Sequence, residues 1–363
     1  MSGFAWPRLL ATCPNGGGVF VLDAHGATRL SHVDSTGLLV AGDEVRVATQ
    51  ADGARSWRHW HGPAWQATTL AAEPLDLHDL AWHEDGVLAA CSERNAAVLY
   101  APDGREQSRW QWDGDADACH LNSLACVEGR WLASLFGRFD THRGYKGHTR
   151  GAGLVVDLHT RQTVLQGLSQ PHSLLADGDA LWLCDSETGR VLRWRAGHVD
   201  TVWSLAGYPR GLCRVGEVML VGLSRSRNAV EDGRDGACVQ AVAIVSGEVL
   251  AEIALPVPEI YDLRPCPASL DLPAIMAAEA ELHRQQLEAR LAQAESRVLE
   301  RSAWATAQDA ELTRVREAFA GYREEQEQTL AQERAAFADY REEQEQTLAQ
   351  ERAAFADYRE EQE

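Results

Sequence analysis

Lysine is almost missing from this chain of 363 residues: Lys146 is the only one, and every other base is arginine. That bias reads as GC-rich coding more than as function. Long apolar runs are missing too. None approaches the roughly 18 residues of a membrane-spanning helix, and MSGFAWPRLL at the start lacks a basic segment followed by a long apolar core, so no signal peptide and a cytoplasmic location are expected. No CxxC spacing occurs among the cysteines at 13, 91, 119, 126, 184, 213, 238 and 266. Neither a zinc ribbon nor a thioredoxin-like site is signalled, and Cys91, Cys126 and Cys184 read as small core residues inside apolar strands. The chain has no P-loop spacing, no G-x-S-x-G elbow and no HExxH helix, which withdraws the commonest nucleotide, hydrolase and zincin readings.

Positive charge is also scarce. The net charge is −20. Residues 273–363 carry 21 acids and 11 Arg, and the remainder carries 33 acids and 23 bases, so each part is −10. Neither part is suited to neutralising phosphates, and nucleic acid is not an expected partner.

What is present is a repeat. Six triplets align: Thr36-Gly37-Leu38, His78-Asp79-Leu80, Asn122-Ser123-Leu124, His172-Ser173-Leu174, Arg210-Gly211-Leu212 and Tyr261-Asp262-Leu263. Each is a variable polar residue, a small or acidic one, then Leu. The spacings are 42, 44, 50, 38 and 51 residues, the length of one four-stranded propeller blade. After each Leu come a Gly or Asp turn and an apolar strand (VLAAC, WLASLF, LWLCD, MLVGL). A polar loop and a further strand follow (AAVLYA, GLVVDL, RVLRW, CVQAVAI). The last inner strand, EIYDLRP (259–265), has no outer strands after it, while RLLATCP and GVFVLDA near the N-terminus have no inner strand before them. Pairing the two ends removes the open edges. The expected fold is an all-β six-bladed β-propeller over residues 1–268. A seven-bladed ring is the alternative, and it turns on residues 1–75.

From Pro273 onward Gly and Pro nearly vanish, and a long helix over 273–363 is expected. FAGYREEQEQTLAQERAA (319–336) returns as FADYREEQEQTLAQERAA (337–354) and begins again at 355. Eighteen residues make five turns, so Phe319, Phe337 and Phe355 fall on one line, a stripe suited to coiled-coil self-association or to a partner helix. A solvated single helix held by Glu–Arg pairs is the simpler alternative.

Residues that begin inner strands crowd the mouth of a propeller channel. This gathers His78, Asn122, His172, Arg210 and Tyr261 with Thr36, brings Asp79 and Asp262 one step on, and adds His120 by strand alternation. Glu93, Arg94, Asp185, Arg225 and Arg227 are expected from loops on the same face. The chemistry of that set suits a small anionic or sugar-like ligand. His78, Asn122 and His172 with an Asp are a candidate divalent-metal set. Alternatively, Arg210 clamps a carboxylate, phosphate or sulfate while a His acts as general acid or base. Polar groups that only bond one another and channel water are the plain reading. The loop GRFDTHRGYKGHTRG (137–151) is a basic island that either caps the mouth and recruits an anion or is a plain surface loop.

The ordered segments HLNSLACVEGRWLASLFG, GLSQPHSLLADGDALWLCDSETGRVLR, GYPRGLCRVGEVMLVGLSRSR and EIYDLRP resemble a bacterial family of conserved hypothetical proteins over about residues 75–266, a domain of unknown function with a propeller-like pattern. PHSLLADGDALWLCDSETGRVLR also resembles single blades of NHL, gluconolactonase-like and streptogramin-lyase-like propellers. The lactonases' Glu, Asn and Asp metal set is matched here only by Asn122 and one Asp. ERSAWATAQDAELTRVREAF (300–319) looks like helical linkers of enzymes from surface-polysaccharide clusters. The family resemblance bears on the fold more than on any activity, and that of residues 300–319 implies work beside glycan-assembly enzymes; the residues as a whole read as a binding or scaffold protein whose helix sets its assembly. The alternative is a metal-assisted lyase or hydrolase at the central channel.

Overall fold

The computed structural model describes residues 4–51, 53–61, 64–225 and 236–362. Among these residues, 24 strands form six antiparallel sheets of four, each a blade. The inner strands are Ser35–Ala41, Leu77–His83, Leu121–Val127, Pro171–Asp177, Tyr208–Val215 and Asp262–Pro265, opening blades 1 to 6 in that order. Blade 6 is built from both ends of the chain. Asp262–Pro265 pairs antiparallel with Leu9–Cys13, and Gly18–Asp23 and Gly26–Ser31 complete it. Closure by the N-terminal strands leaves no free inner edge. The fold is the six-bladed propeller, and the seven-bladed alternative is set aside because residues 35–69 supply one blade only.

Apolar layers lie between neighbouring blades. Leu88, Ala90 and Ala97 of blade 2, for example, meet Leu124, Ala133 and Val156 of blade 3 in one buried cluster. Trp57, Trp60 and Trp182 are fully buried in such layers. Cys91 and Cys184 are buried as expected, but Cys126 is exposed: it alternates with the inward-facing Ala125 and Val127.

Two sets of hydrogen bonds join the blades beside the channel. In the first, the second residue of the triplet accepts a backbone N–H from the next blade. Asp79 Oδ2 accepts from Leu124 at 2.7 Å, Ser123 Oγ from Ser173 at 2.7 Å, Ser173 Oγ from Gly211 at 2.7 Å and Asp262 Oδ2 from Leu38 at 3.3 Å. The other two junctions start from glycine. A Cβ on Gly37 would lie 2.6 Å from the Cα of Asp79, so contact between backbones replaces the side-chain bond there. In the second set, a hydroxyl donates to a carbonyl of the following blade. Thr12 bonds Thr36 O, and Ser92, Ser186 and Ser224 bond Leu121 O, Pro209 O and Ile260 O. Five inner strands carry a bulge at or beside the triplet, which re-aims the side chains there.

The propeller, with the first turns of the helix, forms the compact unit Met1–Arg284, and Gln285–Glu363 forms a second. One helix runs Leu272–Gln362. Asp271 Oδ1 accepts the N–H of Ala274 and caps it, with Pro273 in the first turn. Leu270 and Ile275 are buried with Leu10, Leu38 and Trp60, and the buried Glu279 takes Arg58 and Ser31. In the second unit, Leu291, Val298, Leu312, Val315, Phe319 and Tyr322 are exposed. The side chains of Phe337 and Phe355 lie outside what is described. No helix among the described residues is long and apolar enough to cross a membrane.

Candidate functional site

The channel opens, at the end where the inner strands begin, into a cavity of about 780 Å³. His78, His120, Arg210, Tyr261 and Arg225 line it, as the strand starts imply, and Thr36 joins them. The residue two places before each leading residue also lines it: Asp34, Asp76, His120, Gln170, Tyr208 and Glu259. Only His120 of that outer ring was anticipated. The alternation that found it, applied to all six blades, finds the rest. The 137–151 loop lies at the mouth and contributes Arg143, Tyr145, Lys146 and Thr149.

Several expected residues take other places. Asp79 and Asp262 are not in the cavity. They are buried in the inter-blade ring, where Asp79 also accepts from Leu80 and Asp262 from Leu263. Burial raises both carboxyls from the ordinary range, and the charge of Asp262 adds to the rise at Asp79. Asn122 is fully buried, accepting from Ser134 and donating to His120 O. Arg94 pairs with Glu73 and Glu106, Asp185 is buried against Thr188 and Arg190, and Glu93 does not line the cavity. Arg227 lies outside the described residues.

His172 sits beneath the cavity, 1% exposed, under Phe136 and Tyr208. Ser186 donates to Pro209 O, so its oxygen is free to accept. The Nδ1–H of His172 therefore points to Gln170 O at 2.9 Å and Ser186 Oγ at 3.0 Å. Its Nε2 lone pair faces Arg210 at 3.2 Å. Burial, then the charge of Arg210, hold His172 well below its usual range and keep it neutral. Both nitrogens are thus engaged and Asn122 is turned away, so His78, Asn122 and His172 do not fit a metal. Among the described residues no three His, Cys, Asp or Glu groups are placed to hold one.

Arg210 is the centre of the arrangement. Its guanidinium lies over Tyr208 at 4.9 Å and Tyr261 at 5.2 Å, and bonds Glu259 at 3.2 Å and His172. Against burial, Tyr208, Tyr261 and Glu259 hold its charge. Its Nε is buried without a hydrogen-bond partner, a donor whose desolvation nothing offsets. Lys146 and Arg225 line the same cavity and form no ion pair among the described residues. Aromatic rings complete the wall. His78 and His120 meet edge to face at 4.7 Å, and His120 packs on Phe136 at 4.3 Å and Tyr145 at 4.8 Å.

Two His–Asp pairs stand beside them. His78 bridges Asp76 (Nε2, 3.2 Å) and the Tyr261 hydroxyl (Nδ1, 2.5 Å). His120 Nδ1 meets Asp117 Oδ1 at 2.8 Å. Although burial works the other way, His78, His120 and Arg143 hold Asp76 below the usual carboxylate range, and His120, Arg143 and Tyr145 do the same for Asp117.

Residues 65–275 match the family described as a domain of unknown function, DUF4915. This chain belongs to that family. No curated protein matches it. Among solved structures, the nidogen/laminin complex is similar at 14% identity and TM-score 0.52, over 70% of this chain and 97% of that one. A protein of unknown function from Bacteroides caccae is similar at 8% identity and TM-score 0.51, over 71% and 98%. Regucalcin, a calcium-binding protein from Agrobacterium tumefaciens, is similar at 15% and TM-score 0.47, over 69% and 82%. At these identities the likeness concerns the fold.

Because Asp117 titrates lower in the folded chain, its contribution to stability is whole above its unfolded value of about 3.9 and fades as pH falls past it. Urea unfolding from about pH 6 to about pH 3 is expected to show the stability gap between wild type and Asp117→Asn closing as pH falls. A gap that stays constant contradicts the ion-pair role.

Proposed function

We propose that this DUF4915 protein is a binding module whose channel mouth takes a small molecule with an anionic group on a ring, an acidic sugar being the fitting class. The observation that carries this is the guanidinium of Arg210, which lines the cavity and is fixed by Tyr208, Tyr261, His172 and Glu259. A carboxylate gives the part of that cation facing the cavity a charge-assisted partner, Lys146 and Arg225 draw it in, and the rings offer flat apolar faces to the body of a sugar. Eight free cysteines suit the reducing cytoplasm that the proposal assumes. Work beside surface-glycan enzymes is part of the reading on the resemblance of residues 300–319 alone. In calorimetric titration with glucuronate, Arg210→Ala is expected to weaken binding about 10- to 100-fold, matching loss of a charge-assisted bond of about 1.5–3 kcal/mol. Equal affinity in the variant contradicts the reading.

The long helix is the assembly element of the proposal. Its support is the exposed apolar set Leu312, Val315, Phe319 and Tyr322, which recurs at helical spacing and has no cover within its own unit. The full chain is expected to sediment as an oligomer and the double variant Leu312→Glu/Phe319→Glu as a monomer. A monomeric wild type contradicts self-association.

A further inference from the structure

Asp117 is fully buried, and its two oxygens meet three donors. Oδ1 faces His120 Nδ1 at 2.8 Å, while Oδ2 takes Arg143 Nε and the Tyr145 hydroxyl, each at 2.8 Å. Arg143 and Tyr145 come from the loop at the mouth, so that loop fixes the carboxylate which in turn fixes the imidazole. The shared proton lies on Nδ1, because Asp117 is the stronger acid of the two. Nε2 then keeps its lone pair and is the nitrogen left for the cavity that His120 lines. The ring is walled by His78, Phe136 and Tyr145. Its backbone is held at φ 48°, the left-handed conformation shared by Asp76 and Gln170 at the corresponding positions of their blades. A histidine serving only to fill the wall needs no buried carboxylate locked by a second loop.

We infer that His120 is a general base that removes a proton from the carbon beside a carboxylate held by Arg210, in a β-elimination on an acidic sugar substituted at the neighbouring carbon. The inference rests on the binding proposed above and adds a reaction to it. The carbon-bound proton passes to Nε2 of His120. The C–H electron pair becomes the new carbon–carbon double bond, and the bond from the neighbouring carbon to its substituent oxygen breaks with its pair on that oxygen. The imidazolium then gives its Nε2 proton to the departing oxygen. The products are an unsaturated acid and an alcohol, and no oxidant, reductant or water is consumed. Arg210 offsets the charge that builds on the carboxylate, and Asp117, a positioning residue, offsets the imidazolium.

The test uses the full chain and digalacturonate, whose linkage oxygen sits on the carbon next to the acidic one. NMR in D₂O follows loss of the proton beside the carboxylate, ultraviolet absorbance follows the unsaturated acid, and calorimetry on the same samples reports binding. Wild type is expected to bind and to exchange or eliminate. His120→Gln is expected to lower that rate about 10²- to 10⁴-fold while affinity falls no more than a few-fold. Asp117→Asn, which keeps the shape but lets the ring change tautomer, is expected to lower the rate with affinity retained. Binding by wild type without exchange, or exchange at the same rate in His120→Gln, overturns the base and leaves the binding reading standing. No binding by wild type overturns the binding reading, and the reaction falls with it.

Discussion

The inter-blade hydrogen bond from a triplet's second residue to the next blade's backbone is the constraint on which the rest depends. An inner strand in a propeller has no sheet partner on its channel side, so its N–H groups there need acceptors from elsewhere. Asp79, Ser123, Ser173 and Asp262 supply them. The bond works only if the second residue turns toward the neighbouring blade. The pleat then turns the first residue, and the one two before it, toward the axis and the mouth. One structural requirement, met by a side-chain bond at four junctions and by glycine at the other two, therefore delivers two rings of variable side chains to one place. The variable positions are free to carry chemistry because the ring bonds carry the closure.

Those positions are used unevenly. Blades 4 to 6 build the cation: His172, Arg210, Tyr208, Glu259 and Tyr261. Blades 2 and 3 build the two His–Asp pairs, with Asp117 locked by the long loop of blade 3. The neutral state of His172 matters to both groups. A protonated imidazole there would repel Arg210 and lose the acceptor that orients it, and burial prevents this. The polar channel is thus an arrangement of charges with fixed donors, held in a largely buried setting where each is strong.

How much of this was legible depended on whether a feature repeats. The six Leu-bearing triplets, the closure of blade 6 by residues 9–31 and the change at Pro273 all follow from period and composition. The parity of the pleat locates His120, and the same parity separates the residues that face the mouth from those that do not. Asp79 and Asp262 were placed in the mouth because they neighbour it in sequence, yet one step along a strand reverses the face. Asp34, Asp76, Gln170, Tyr208 and Glu259 were missed although each lies two steps from a residue that was named. Asn122 and His172 begin their strands as expected, but Ser134 of the adjacent strand of blade 3 draws one down and Phe136, just after that strand, covers the other. Long-range contacts of that kind leave no local pattern. Asp117 belongs to the same class, since its role comes from residues 143 and 145.

The helix differs in kind. Its sequence specifies a helix and an apolar stripe, and what covers that stripe is a property of the assembly. The centre of the account is therefore the mouth, and its most direct measurement is a crystal structure of the protein with glucuronate bound. The account predicts the carboxylate within hydrogen-bond distance of the Arg210 guanidinium, with the sugar ring against Tyr208 or Tyr261. A carboxylate bound away from Arg210, or a ligand seated elsewhere on the propeller, would contradict it.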